Sequence, residues 1–261
     1  MKTRIRERWA LGLTGLGLTA LFESWPLLDL RIAQVFHASG GDFPGRHMVW
    51  VQAAYLGTPW LGRALFLLSG VLLLGALWSA ARVPRRIWRR AAAVHLVMLL
   101  GIGLIVHAVF KEQWGRPRPY ELQAFAGDQA FVAALRPGGA CKTNCSFVSG
   151  HAATGFALVS LAMFGTRSRR RKWFCVALCS GLAIGLGRMV QGGHFLSDIL
   201  FAGWLIWAVH VLVREGWLRT LLWRRGRQVV ISEALSRVAR PPRERARIHT
   251  TVTNPSQTPV Q

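Results

Sequence analysis

Long apolar runs alternate with short arginine blocks along most of the chain. The runs cover about 9–28, 60–81, 91–110, 149–166, 173–187 and 195–213. A helix needs roughly 20 apolar residues to cross the hydrocarbon core of a bilayer. The fifth run is short, so its helix must extend to Arg188 and its neighbours or lie inside a bundle. The pattern predicts an all-α integral membrane protein, a six-transmembrane-helix bundle with short amphipathic surface helices. Two such surface helices are expected between the first and second runs. In one, Leu30, Ile32, Ala33, Val35 and Phe36 interleave with Asp29, Arg31, Gln34 and His37. Met48, Val49, Val51 and Tyr55 around Gln52 suggest the other. The longest loop, 111–148, is rich in Gly, Pro and Arg. Beyond Trp223 the sequence turns basic and then polar. The expected organisation is a membrane domain over 1–223 and a basic tail over 224–261, helical near 229–238 and disordered at its end.

Composition sharpens this reading. Of the 261 residues, 52% are hydrophobic and 17% charged, which excludes both a disordered chain and a soluble globule. Lys and Arg number 33 against 11 Asp and Glu, a formal charge of +22. Placement decides what that charge means. Basic residues cluster at Lys2 to Arg8, Arg82 to Arg90, Arg167 to Lys172 and from Arg214 onward, on alternate sides of successive runs. The positive-inside rule then puts both termini in the cytoplasm. These arginines are spread along span ends rather than gathered on one face, so anionic lipid headgroups are the expected partners and nucleic acid is not. No small-x-small cleavage site separates the first run from Glu23, so that run is expected to remain as an uncleaved anchor.

A set of polar residues stands where a membrane protein should avoid them. Lys111 closes the third run and Arg118-Pro119 follows. Ser149-Gly150-His151 opens the fourth, Arg188 closes the fifth, and His194 and Asp198 lead into the sixth. The predicted topology gathers all of these at the non-cytoplasmic surface. Isolated cations at helix ends would merely snorkel, but three cations, two His and an Asp on one face point to function. Arg118 and Arg188 can each fork two N–H groups onto phosphate oxygens, and Lys111 adds a point charge. The backbone amides of Ser149 and Gly150 open a helix, whose N-terminus favours an anion. His194 and Asp198 are i,i+4 and share a helical face. The carboxylate can hold one imidazole nitrogen protonated and leave the other free to attack phosphorus. His151 can protonate the leaving oxygen. No carboxylate cluster lies on this face, so no metal and no cofactor are expected. His95, His107 and His210 fall within runs and read as core histidines, although His107, i,i+4 to Lys111, could support the site. Arg116 fits headgroup binding and simple solvation equally. Cys141 and Cys145 fit a disulfide or two free thiols, and Cys175 and Cys179 fit helix packing.

Lys111-x6-Arg118-Pro119, Ser149-Gly150-His151 and Arg188-x5-His194-x3-Asp198 resemble the three signatures of the type 2 phosphatidic acid phosphatase superfamily, over roughly residues 60–210. The resemblance implies a metal-independent phosphatase working through a phosphohistidine. In that pattern His194 is the nucleophile, Asp198 its orienting partner and His151 the acid, while Lys111, Arg118, Ser149, Gly150 and Arg188 bind phosphate. Two positions depart from it: Val148 stands where the family usually has Pro, and Gly187 where it usually has Ser. The stretch from Cys141 to His151, with Gly115-Arg116-Pro117-Arg118-Pro119 upstream, resembles the branch containing bacterial lipid A 4′-phosphatases.

The resemblance implies a phosphorylated membrane lipid as substrate, with lipid A favoured. Undecaprenyl diphosphate, phosphatidylglycerophosphate and phosphatidic acid are alternatives for the same residues. A vanadium haloperoxidase would share the pocket, but six spans argue against that soluble class. A non-catalytic membrane protein with a vestigial pocket should have lost a nucleophile or acid, yet His151, His194 and Asp198 are all present.

The expected topology is directly measurable. A reporter active only in the periplasm should be silent when fused after Arg90, Arg171 or Arg227 and active after Gly127. A silent fusion after Gly127 would reverse the orientation.

Overall fold

The computed structural model describes residues 2–38, 41–78 and 84–239, which form helices and loops apart from one isolated bridge between Leu122 and Gln129. The chain divides into two units, Met1–Arg214 and Glu215–Gln261. Seven helices are described: α1 (Lys2–Ser24), α2 (Leu28–Val35), α3 (Val49–Trp78), α4 (Arg85–Lys111), α5 (Gly150–Ala162), α6 (Arg167–Val190) and α7 (Leu196–Ala239). The helix α7 starts in the first unit and supplies the described helix of the second, so the expected boundary at 223/224 falls inside it. Residues 240–261, where a disordered end was expected, lie outside the described residues.

Among the described residues, four helices are long and apolar enough to cross a membrane: Val49–Gly75, Arg85–Lys111, Arg167–Val190 and Leu196–Thr220. Ile5–Ser24 and Leu28–Val35 form a pair bent by 83°, which raises the number to five if the pair is one span. The fourth expected crossing is different. Over 149–166 the chain makes seven α-helical residues and then six of tighter 3₁₀ winding. That length is roughly 20–25 Å, short of a bilayer core of about 30 Å. Apolar composition made this run resemble the others, but it starts at the Ser149 cap and is cut off by a turn over 163–165. A correction concerns residues 48–55. They are not a separate surface helix but lead into α3, which continues through Pro59. The fifth run is longer than its apolar stretch, because α6 takes in the basic block at its start and Arg188 near its end.

The core lies where α4, α5 and α7 meet, with Val97, Val106, Ala152, Ala153, Phe156, Ile199 and Ile206 among its buried residues. Small residues let the helices approach, as is usual within membranes. A Cβ added at Gly155 would stand 2.8 Å from Gly181 Cα on α6, and one added at Gly185 would press into Ile199 of α7. These contacts set α6 against α5 and α7, and each of the three carries part of the polar constellation.

One polar cluster is sealed inside this packing. Arg116, from the long loop, is completely buried. Its guanidinium donates to Asp198 Oδ1 at 2.6 Å and to Asp29 Oδ2 at 2.8 Å, and its Nε donates to the Val132 carbonyl at 2.8 Å. Neither headgroup binding nor solvation describes it. Asp29, expected on the polar face of a surface helix, is 1% exposed and also accepts from the Ser197 amide and hydroxyl. The cluster thus ties α2, the long loop and the start of α7 together. Buried charges tolerate such a place only when every lone pair and proton is matched, and removing one partner costs about 3–5 kcal/mol. Asp29→Ala should therefore lower the thermal unfolding midpoint of the purified protein in detergent by roughly 6–20 °C. An unchanged midpoint would show that the cluster carries no weight.

Candidate active site

The polar constellation does converge. A cavity of about 160 Å³ is lined by Lys111, Arg118, Gly150, His151, Arg188 and His194, joined by Tyr55, His107 and Asn144. Each helix end contributes for a local reason. Lys111 is the last residue of α4, and its buried ammonium donates to Asn144 Oδ1 at 3.0 Å and to the Cys145 carbonyl at 3.3 Å. Arg118 stands at the start of a 3₁₀ turn begun by Pro119, with its amide held by Glu121 at 2.7 Å and its guanidinium by the Asn144 carbonyl at 2.8 Å. Arg188, 6% exposed near the end of α6, donates to Gln191 and lies 4.5 Å from the centre of the Tyr55 ring. Its buried Nε has no hydrogen-bond partner among the described residues. Arg188 lines the cavity together with two further cations, a set suited to an oxyanion.

His194 lies in the turn before α7 and is 1% exposed. Its Nδ1–H donates to Asp198 Oδ2 at 3.3 Å, which leaves Nε2 as the nitrogen without a proton. Asp198 is in turn held by Arg116, by the Ser146 hydroxyl and by the Phe195 amide at 2.8 Å. Burial, and then the nearby cations Lys111, Arg188 and Arg118, push the His194 imidazole well below its ordinary value of 6.5. It therefore stays neutral at physiological pH, the form a nitrogen nucleophile needs. His151 enters from the first turn of α5. Its Nε2–H donates to the Tyr55 carbonyl at 3.3 Å, and its ring stacks on that of Tyr55 with centroids 5.1 Å apart.

Ser149 takes a different place from the one expected. Its amide donates to the Asp198 carbonyl at 3.0 Å and its hydroxyl accepts from the Ala152 amide, so it caps α5 and ties it to α7. Of the two expected helix-opening residues, only Gly150 lines the cavity. A Cβ there would meet His107 and Lys111 at 3.3 Å, so glycine keeps this wall open. Cys141 and Cys145 are joined as a disulfide that closes the loop carrying Asn144. Cys175 and Cys179 are unbonded. Among the described residues no three His, Cys, Asp or Glu side chains come together as a metal-ligand set.

Several contributors were not singled out from the sequence. Tyr55 falls in the stretch expected to form a surface helix, and the sequence around Arg116 fits headgroup binding and solvation equally. Asn144 had one usable signal: it lies between polar residues and a cysteine, a setting that suits the left-handed backbone it adopts at φ 51°. His107 lines the cavity, while His95 is satisfied inside its span by Ser69 at 3.2 Å and by stacking on Phe66.

The comparisons point the same way. A family model described as the PAP2 superfamily matches residues 92–220. The chain is 33% identical over 214 residues to a protein of Francisella tularensis subsp. novicida (strain U112) named Lipid A 4'-phosphatase, covering 76% of this chain and 94% of that one. A protein of the same name from Rhizobium leguminosarum is 30% identical over 206 residues, 72% of this chain and 86% of its own. Its counterpart from Rhizobium etli is 31% identical over 207 residues, 72% of this chain and 78% of its own. No solved structure gives a significant match. Apolar helices, a phosphate-sized cationic cavity and these relatives together make this a multi-pass membrane phosphatase, and the chain belongs to the PAP2 superfamily.

Proposed function

We propose that the protein hydrolyses a phosphate monoester of lipid A at the periplasmic face of the bacterial inner membrane, through a phosphohistidine and without a metal ion. The observation that carries the chemistry is the His194–Asp198 pair, buried beside three cations in one cavity. The names of the three relatives support lipid A as the substrate. The reading needs six crossings with both termini in the cytoplasm, the short α5 serving as the fourth. The alternation of arginine blocks supports that orientation, and the blocks themselves would rest on anionic headgroups. All of the proposed site residues fall within the membrane domain expected over 1–223.

In this mechanism Lys111, Arg118 and Arg188 bind the three non-bridging oxygens, with the Gly150 amide adding a dipole. Such fixed charges stabilise the five-coordinate transition state because they need no reorganisation as charge spreads over those oxygens. His194 Nε2 attacks phosphorus while the bond to the lipid oxygen breaks. Asp198 stabilises the imidazolium that forms, and Arg116 and Ser146 keep that carboxylate in place. His151, as the imidazolium that a bound phosphate dianion favours, gives its second proton to the leaving lipid oxygen and becomes neutral, then takes a proton from the water that hydrolyses the phosphohistidine. The products are the lipid alcohol and inorganic phosphate.

The test is lipid A extracted from a lipid A-bearing host with and without the gene, weighed by mass spectrometry. The expected result is a species lighter by one phosphate that vanishes with His194→Ala. Asp198→Asn should lose turnover on the order of 10⁴-fold, as triads do when the wrong imidazole tautomer is held. Unchanged lipid A alongside a different dephosphorylated lipid would move the assignment to that lipid. Full activity in His194→Ala would reject the mechanism.

A further inference from the structure

The other end of α6 carries a second site. Arg188 and Arg167 are separated by most of that helix, roughly 30 Å along its axis, so whatever gathers around Arg167 is remote from the phosphatase cavity. A cavity of about 540 Å³ opens there between α1, α6 and α7, with Arg167, Arg170, Arg171, Glu7 and His210 in its walls. Glu7 is held by Arg214 at 2.8 Å and lies 3.7 Å from Arg170, so its charge is already matched. Among the described residues, Arg167 and Arg171 have no acidic partner, and both are exposed. His210 is 5% exposed and lines the cavity, and its buried Nδ1 has no hydrogen-bond partner among the described residues. This end of the bundle therefore offers an excess of forked donors and an unmet polar atom, which suits an anion.

The neighbouring surface defines what kind of anion. An apolar groove of about 280 Å³ shares Val159, Phe174 and Trp207 with the basic cavity and runs on past Trp204, Leu178 and Leu182. Phe174 and Trp207 meet edge to face at 6.4 Å, at the border between the two. A soluble phosphate would use only the arginines, and an acyl chain alone would use only the groove. Aromatic rings between a charged and an apolar compartment are characteristic of the headgroup level of a bilayer.

We propose that cavity and groove together form a specific site for one anionic phospholipid, with its phosphodiester among Arg167, Arg170 and Arg171 and an acyl chain along Trp204, Leu178 and Leu182. The occupant belongs to the leaflet opposite the phosphatase cavity, so it is neither substrate nor product. It fixes the end of α6 whose far end presents Arg188. A single built site also differs from a diffuse attraction of all arginine blocks to the membrane.

The full-length protein, purified in detergent and stripped of lipid, should be titrated with phosphatidylglycerol and with phosphatidylcholine by native mass spectrometry. One phosphatidylglycerol should bind about 10-fold or more tightly than phosphatidylcholine, and R167Q/R171Q should remove that preference. R85Q/R86Q, which removes the same charge from the exposed start of α4, should keep it. Glycerol phosphate, the headgroup without its chains, should fail to displace the bound lipid. Equal binding of the two lipids by the wild-type protein would overturn the proposal, as would equal loss in both variants. Displacement by glycerol phosphate would reduce the site to one for soluble anions and would also overturn it.

Discussion

The structure depends on a guanidinium with no access to water. Arg116 can sit in the interior only because Asp29 and Asp198 face it from two sides and Val132 takes its third donor. Each of those partners comes from a different part of the chain: α2, the long loop and the start of α7. Moving any one of them strands a buried charge. The long loop is therefore pinned, and Arg118 and Asn144 are carried to the cavity by a segment with almost no regular structure. Asp198 has two duties at once. One oxygen answers Arg116 and the other answers His194, Ser146 and the Phe195 amide. The ion pair that holds the fold thereby fixes the tautomer of His194.

Burial explains the chemistry that the same cavity can support. His194 is surrounded by cations and shielded from water, so its imidazole is neutral and its outward nitrogen is free. An arriving phosphate would neutralise those cations. Positive charge that disfavours a protonated histidine would thus favour a phosphate dianion in the same cavity.

Much of this was legible in the sequence, and the rest was hidden for physical reasons. Lys111, Arg118, His151, Arg188, His194 and Asp198 could be found because charge is costly at the ends of apolar helices, and their spacing put them on one face. Hydropathy also located the membrane-crossing helices. It could not show that the run over 149–166 would be cut short, since a turn of Met163, Phe164 and Gly165 is as apolar as a helix. Nor could it identify Arg116 and Asp29 as partners, because an ion pair between residues 87 apart leaves no local pattern. Tyr55 was obscured by its neighbours: residues 48–55 alternate like a surface helix, and only the continuation through Pro59 brings that ring against His151 and Arg188. Ser149 was read as a phosphate ligand because it opens a helix, but packing α5 against α7 turns its amide to Asp198 instead.

The central claim is that His194 takes the phosphoryl group and His151 only moves protons. Rapid quenching of the enzyme with phosphorus-labelled lipid tests it most directly, because a phosphohistidine survives base and is lost in acid. The account predicts a base-stable, acid-labile label on the wild-type protein, none on His194→Ala, and label on His151→Ala when the leaving group is a nitrophenolate that needs little protonation. Label trapped on His194→Ala but absent from His151→Ala would contradict it.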